Sequence, residues 1–477
     1  MAPDRIIHGL AFFPRGGSAQ VVRYLALAQR DTGWAPTVVT GSLGQAGDIG
    51  HAATFFAGLP LVAADFGPAV RAWQRGYDPM AQPIPMHPSY EDRSGVPDRI
   101  FTALTPSLAE HQVRAWRRVL DQVDTSAPTV LHLHHLTPLH EAAMQKWPAI
   151  PVVTHLHGTE LLMMEAIRGS RLAADVFLPA SWAYADYWLQ RLRSTARRSS
   201  HIVALSADHA ERAIDVLGVS ADHVSVIPNG VDVERFRPRH LSGPERLALL
   251  RRWLVEDPLG WDASGRPGSI RYADADLAAF VDGDVVRPVL LFVGRFTAVK
   301  RLPLLLRAYA RVRQRLGPIA PLLIWGGYPG EWEGRHPGEL AGPHDGVFFL
   351  GWRGHDELPL GLACADLLVA PSVREAFGSV YLEAMAAGVP VVATRTGGPA
   401  TFINTDDSAP VGWLIPPDDE LALTEVLVEA LTHPQARRAR GDAAVAVVRQ
   451  QFSWARIAAD MSATYEWARA ARSITDR

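Results

Sequence analysis

Residues 367–393 read LLVAPSVREAFGSVYLEAMAAGVPVVA. An apolar run of strand length, Leu367–Ala370, gives way to a polar turn, a helical pattern and a second apolar run, Val389–Ala393. Strand, helix and strand in that order make a βαβ unit, because parallel strands need a crossover between them. The same alternation extends outward over most of the chain. Arg5–Phe13, Thr37–Thr40, Val130–His134, Pro151–Leu156 and His201–Leu205 read as the buried strands of a first series. A second series starts near Val224–Pro228 and runs through Val289–Val293, Pro321–Trp325, Val347–Leu350 and the quoted stretch. Two such series predict an α/β protein of two Rossmann-like domains facing a central cleft, with ligands at the carboxyl ends of the strands. The expected domains are 1–225 and 226–454, the second carrying an insertion at 239–288. Phe452–Arg477 reads as a final amphipathic helix with Trp454, Ile457, Met461 and Tyr465 on one side.

The composition narrows the function. The chain has 477 residues, 48% of them hydrophobic and 20% charged, enough apolar material for two ordinary cores. With 47 Lys and Arg against 50 Asp and Glu the formal charge is −3, so no global basic field is available to nucleic acid. The one cysteine, Cys364, cannot close an internal disulfide and fits a reducing compartment. The start, MAPDRIIHGLAFFPRGG, lacks the basic and apolar regions of a signal peptide. No apolar run reaches the roughly 18 residues of a membrane span. A soluble cytoplasmic enzyme without a transmembrane anchor is the expectation.

Polar residues cluster where strands end. The first strand runs into Pro14-Arg15-Gly16-Gly17-Ser18 and then a helical pattern, a turn where backbone can approach a ligand and a helix start can face an anion. In the second series Gly294-Arg295-Phe296 follows a strand and Lys300 stands at the next helix start, so a rigid fork and a mobile point charge suit a diphosphate. Glu375 lies in the loop after Leu367–Ala370, Glu383 in the following helix, and Phe377, Gly378, Ser379 and Val380 at the turn between them. Carboxylates accept hydrogen bonds from sugar hydroxyls, and bidentate acceptance suits a vicinal diol.

In combination these features resemble the retaining GT-B glycosyltransferases of glycosyltransferase family 4. The order is a glycine-rich first loop, His157-Gly158, IPNGVD, Gly294-Arg295-Phe296 with Lys300, and Glu375-x7-Glu383. The resemblance implies that Arg295 and Lys300 bind the diphosphate of a nucleotide-sugar donor, that Glu375 contacts the sugar and that Glu383 contacts the ribose. It places Gly16, Gly17, Phe377 and Gly378 against the donor, and His157 near the reacting centre. Trp352 and Arg353 fall where the base should sit. The final helix, 455–477, is expected to cross back to the first domain. A uridine diphosphate donor is favoured, with guanosine diphosphate an alternative, and no metal or other cofactor is expected.

The first half also holds His132, His134, His135, His140 and His155. A zinc site would want a closed ligand set, and hydrogen-bonded core histidines are the stronger reading. His134 and His135, with Tyr77, are assigned to the acceptor side. Asp274-Ala275-Asp276 looks like a metal-binding motif, but it sits at a helix start, where N-capping is the plainer role. The function expected is transfer of a sugar, with retention, to a small polar acceptor in small-molecule glycosylation; a homo-oligomer is compatible with this. The alternatives are a polysaccharide or lipid-linked glycan acceptor, a nucleotide-sugar hydrolase, epimerase or phosphorylase on the same fold, and a non-catalytic nucleotide-sugar scaffold.

Overall fold

The computed structural model describes residues 3–12, 17–46, 50–93, 95–123, 127–172, 179–405 and 409–475. The chain divides into two compact units, Met1–Gly230 with Trp454–Arg477, and Val231–Ser453.

The first unit is built on a parallel sheet of seven strands: β1 (Asp4–Leu10), β2 (Trp34–Gly41), β3 (Leu61–Ala64), β4 (Val130–His134), β5 (Val152–His155), β6 (His201–Ala204) and β7 (Val224–Val226). Their spatial order is β3-β2-β1-β4-β5-β6-β7. The central strand β4 is buried along its whole length, as expected of a parallel strand covered on both faces. Strand order reverses between β1 and β4, and the crevice beyond their carboxyl ends is the usual ligand position in an open α/β sheet. The C-terminal helix, Trp454–Thr475, buries Ile457, Met461 and Tyr465 in this unit, in one cluster with Ile6, Val130 and Val203.

The second unit has six parallel strands: β8 (Leu290–Gly294), β9 (Leu322–Gly326), β10 (Val347–Gly351), β11 (Leu367–Val369), β12 (Val391–Thr394) and β13 (Gly412–Ile415). Their order is β10-β9-β8-β11-β12-β13, so the reversal falls between β8 and β11.

The second series of strands does not begin at Val224. Ile202 and Val203 pair with Val224 and Ser225, which makes β7 the last strand of the first sheet. The edge strands β3 and β13, absent from the sequence reading, complete the two sheets.

The insertion at 239–288 packs on the second sheet. Its helix, Gly243–Arg251, starts with Ser242, whose backbone N–H donates to Glu245 at 2.7 Å. Trp253 and Trp261 are fully buried. At the edge of the sheet, the N–H of Phe349 on β10 donates to the Tyr272 hydroxyl at 2.7 Å. Trp261 Nε1 donates to the Gly327 carbonyl at 3.0 Å. The insertion therefore covers an edge strand that would otherwise present an unpaired backbone.

Candidate active site

In the second unit the polar residues gather beyond the ends of β8, β11 and β12. The backbone N–H of Val373 donates to the Val299 carbonyl at 2.8 Å, which brings the loop after β11 beside the loop after β8. Lys300 Nζ is thereby set 2.6 Å from Glu375 Oε2, both side chains about one-fifth exposed at 18% and 21%. Arg295 stands exposed at the end of β8.

The loop that carries Glu375 is tightly held. Gly398 N–H donates to the Glu375 carbonyl at 2.9 Å, and Tyr381 Oη donates to the Ala370 carbonyl at 2.6 Å. Thr394 Oγ1 donates to the Ser372 carbonyl. Gly378, at φ +90°, turns the chain into the helix Ser379–Ala386; a Cβ there would lie 2.6 Å from the Tyr381 ring. The N–H groups of Gly378, Ser379 and Val380 make no hydrogen bond within the described residues. These unfilled donors, at the positive end of the helix, are suited to an anion.

Glu383, one turn further on, is held by His355, whose Nε2 lies 2.8 Å from Glu383 Oε1. Trp352 is 46% exposed and sits edge-on to Tyr328, ring centroids 5.8 Å apart. Arg353, assigned with it to the base, has a fully buried guanidinium that donates to the carbonyls of Trp253 and Asp257 and to Asp257 Oδ2 at 3.1 Å. Its side chain clamps the insertion and is spent there, so it does not offer a base the contact expected of it.

In the first unit the histidines collect at the carboxyl ends of β1, β4 and β5. His134 and His155 are register partners across β4 and β5, and His132 shares the face of His134. Their rings stack: His134 on His155 at 5.2 Å and 27°, His155 on His157 at 4.7 Å and 15°. Burial, then the charge of neighbouring imidazoles, holds His134 and His157 well below the usual histidine range. Burial similarly lowers His155 and His140 to about 3.

His135 adopts a left-handed backbone, φ +61°, and its Nδ1 lies 3.0 Å from Glu160 Oε2. Burial pushes the Glu160 carboxyl up, but His135 and the N–H groups of Glu160 and His157 outweigh it and bring it to about 2. One of these hydrogen bonds, from His157 N to Glu160 Oε1, is 2.6 Å long. The structure thus unites His134, His135 and His157.

Two histidine triplets, His8 with His132 and His134, and His134 with His155 and His157, each bring three ring nitrogens within 4.8 Å. The rings within them lie at 15° to 44° to one another, and several of their nitrogens already hydrogen-bond neighbouring histidines. This suits a packed polar core better than convergent metal ligation. Asp276 accepts from the Ala273 N–H at 2.8 Å and Asp274 pairs with Arg251 at 2.7 Å, a cap and a surface ion pair.

Of the remaining assigned residues, Gly16 lies outside the described residues. Gly17 is the first residue of the helix Gly17–Asp31, with open space where a Cβ would stand. Tyr77 lies in the turn after the helix Gly67–Gln74, two-thirds exposed, and none of its described contacts reaches the histidines. Sequence reasoning missed His355 and the pair Gly397-Gly398. Gly397 has φ +63°, and Cβ atoms on the pair would lie 2.2 Å from the Glu375 carbonyl oxygen and 2.3 Å from Phe377 Cα. A paired glycine just past β12 was the available signal.

Comparison with known proteins agrees with this architecture. Residues 15–235 match the family model Glycosyltransferase Family 4, and residues 287–433 match the model Glycosyl transferases group 1. A D-inositol 3-phosphate glycosyltransferase of Stackebrandtia nassauensis is 28% identical over 397 residues, covering 80% of this chain and 79% of that one. The sulfoquinovosyl transferase SQD2 of Arabidopsis thaliana is 25% identical over 305 residues, 63% and 49% of the two chains. Sucrose-phosphate synthase from Thermosynechococcus elongatus shares the fold, with a TM-score of 0.65 at 19% identity, over 98% and 100% of the chains. So does Anabaena Alr3699/HepE, solved with UDP and glucose, with a TM-score of 0.59 at 18% identity, over 97% and 99%.

Proposed function

The chain carries a glycosyltransferase family 4 domain and a glycosyl transferases group 1 domain on a GT-B fold, and from that premise we propose that this glycosyltransferase works with retention on a uridine diphosphate sugar. The observation that carries the reading is the juxtaposition of Lys300, Glu375 and the unfilled N–H groups at Gly378–Val380.

In this reading the diphosphate is the leaving group and its growing charge is the main problem for catalysis. Lys300 supplies a mobile cation, Arg295 a guanidinium fork, and the helix start at Gly378 a set of fixed dipoles. Such donors, oriented before the reaction, stabilise the departing group without reorganisation. They make a metal ion unnecessary at the diphosphate. Glu375, steadied by Lys300, accepts hydrogen bonds from sugar hydroxyls, and a diphosphate oxygen takes the acceptor proton. Glu383, oriented by His355, accepts from the ribose diol, and Trp352 offers a face to the base. His157 meets the sugar and His135 and Tyr77 line the acceptor side, while His134, whose two ring nitrogens are spent on His8 and His157, backs His157.

The uridine base is supported by the complex of the related fold with UDP. The acceptor is proposed to be small and polar, and the relatives named for D-inositol 3-phosphate make a phosphorylated cyclitol the first to try. The one cysteine, Cys364, is buried and fits a cytoplasmic setting, and among the described residues no helix is long and apolar enough to cross a membrane.

Proton NMR of a reaction with UDP-glucose and a panel of polyols and cyclitol phosphates tests the reading. An axial anomeric linkage in the product, as in the donor, supports retention; an equatorial one overturns it. Free glucose as the sole product under every acceptor favours a hydrolase.

A further inference from the structure

His157, His134, His8, His132 and His155 of the first unit are joined in one hydrogen-bonded file. His157 Nε2 lies 3.0 Å from His134 Nδ1, and His134 Nε2 lies 3.3 Å from His8 Nδ1. His8 Nε2 meets Gln29 Oε1 at 2.6 Å, and Gln29 Nε2 donates to the Tyr465 hydroxyl at 2.7 Å. That hydroxyl lies 2.6 Å from His132 Nδ1, and His132 Nε2 lies 3.1 Å from His155 Nδ1. The file thus links the helix Gly17–Asp31, through Gln29, to the C-terminal helix, through Tyr465, and ends at half-buried His157.

A neutral imidazole has one N–H and one lone pair. Burial keeps these rings neutral near pH 7: it lowers His8 to about 4 and His155 to about 3, and His132 and His134 well below the usual range. His8, His132 and His134 spend both nitrogens on neighbours, so each must donate once and accept once. Along the arm from Gln29 through His8 and His134 to His157, the direction of one bond then fixes the others, and two proton orders exist, related by a turn of the Gln29 amide. With Gln29 Oε1 on His8, the rings His8, His134 and His157 all donate from Nε2.

In the same order Tyr465 donates to His132, and His132 donates to His155. His155 Nε2 is buried and has no partner within the described residues. That unmade bond is the cost of this order, and the Gln29 amide, set with Oε1 on His8 and Nε2 on the Tyr465 hydroxyl, is what selects it. The remaining nitrogen of His157, Nδ1, makes no hydrogen bond within the described residues.

The geometry points to Gln29 and Tyr465 as positioning residues for His157, holding its proton on Nε2 and leaving Nδ1 to accept from a hydroxyl of the bound sugar. The functional half of this statement rests on the reading that His157 meets the sugar. Which ring nitrogen carries the proton decides what a histidine can do, and the bond made by its other nitrogen sets it.

Nitrogen-15 NMR of histidine-labelled protein reads the tautomer, with the His157 signal assigned through His157→Gln. The wild type is expected to show a protonated Nε2. Tyr465→Phe removes one oxygen from a packed ring and frees the Gln29 amide to turn, so His157 should show both tautomers. Gln29→Met keeps the volume, removes both bonds and should do the same. In either variant kcat should fall about tenfold or more while the donor KM stays within about twofold. A single protonated Nε2 in both variants, or a proton on Nδ1 in the wild type, overturns the proposal, even if kcat falls. Mixed tautomers with unchanged kcat support the file and overturn the sugar-facing role of His157. Should Gln29→Met fail to fold, Tyr465→Phe alone decides.

Discussion

Lys300 and Glu375, 75 residues apart in sequence, are joined at 2.6 Å between Nζ and Oε2 beside the helix start at Gly378. The pair brings together the loops after β8 and β11, the two strands at which the sheet order reverses. In the proposed reading, the cation for the diphosphate is thus positioned by the carboxylate for the sugar.

Turnover should be sensitive to both ends of this arrangement. Arg295→Ala and Glu375→Gln are each expected to lower kcat by about 10²-fold or more, as for loss of one preorganised group. Initial rates with UDP-glucose check this, and near-normal rates in both variants would contradict the assignment.

In the proposed reading Glu383 serves the nucleotide rather than the chemistry. Glu383→Ala should weaken UDP binding about tenfold, the value of a hydrogen-bonded carboxylate contact, and His355→Ala should do so less strongly because it only orients the carboxylate. Calorimetric titration of UDP reads both, and unchanged affinity in Glu383→Ala removes the ribose role.

The glycine pair behind Glu375 should tolerate nothing larger. Gly398→Ala places a Cβ 2.3 Å from Phe377 Cα, and Gly397→Ala adds a strained positive φ to a clash with the Glu375 carbonyl. Overpacking of about 1–3 kcal/mol is expected, and about 2–4 °C of melting temperature per kcal/mol in a unit of this size. Turnover should fall with it, since the displaced loop carries Glu375. A melting curve and an initial rate that both match the wild type would show that the loop has room.

The histidine core predicts an acid-sensitive fold. For His8, His140, His155, His201 and His209 the folded pKa lies at about 3 to 4, below the ordinary 6.5. Above pH 6.5 folded and unfolded chains are both neutral at these groups, so they leave stability flat. Below it the unfolded chain takes up protons that the folded chain refuses, at about 1.4 kcal/mol per histidine per pH unit, until the folded pKa is reached. Glu160, at about 2, adds its own loss only below its unfolded value of 4.5. Melting temperature should therefore be level from pH 8 to 7 and fall steeply from 6.5 towards 5. A level curve down to pH 5 would show that the histidines are charged or exposed in the fold.

Much of this architecture was legible in the chain because each central strand is a short apolar run that ends in a polar turn. β3 was not, because Leu61–Ala64 is a run of only four residues set close to other apolar residues, Phe55, Phe56 and Leu59, so no strand stands out there. β7 went to the wrong sheet because Val224–Val226 runs on into IPNGVD, and only its pairing with β6 shows where it belongs. Lys300, Glu375 and Glu383 could be singled out because the resemblance to glycosyltransferase family 4 added weight to a spacing that by itself reads as a helix cap and a surface glutamate. His355 and Gly397-Gly398 could not, because their importance lies in contacts with Glu383, Glu375 and Phe377 that no local pattern encodes. Arg353 shows the converse, a cation at a plausible position whose charge is spent on the insertion.

Titration of UDP into the wild type and Lys300→Ala, with and without EDTA, tests the central claim most directly. The account predicts that UDP binds the wild type equally well with chelator, and at least about tenfold more weakly once Lys300 is gone, the loss expected for a charge-assisted hydrogen bond. Binding that disappears with EDTA, or that Lys300→Ala leaves unchanged, would contradict it.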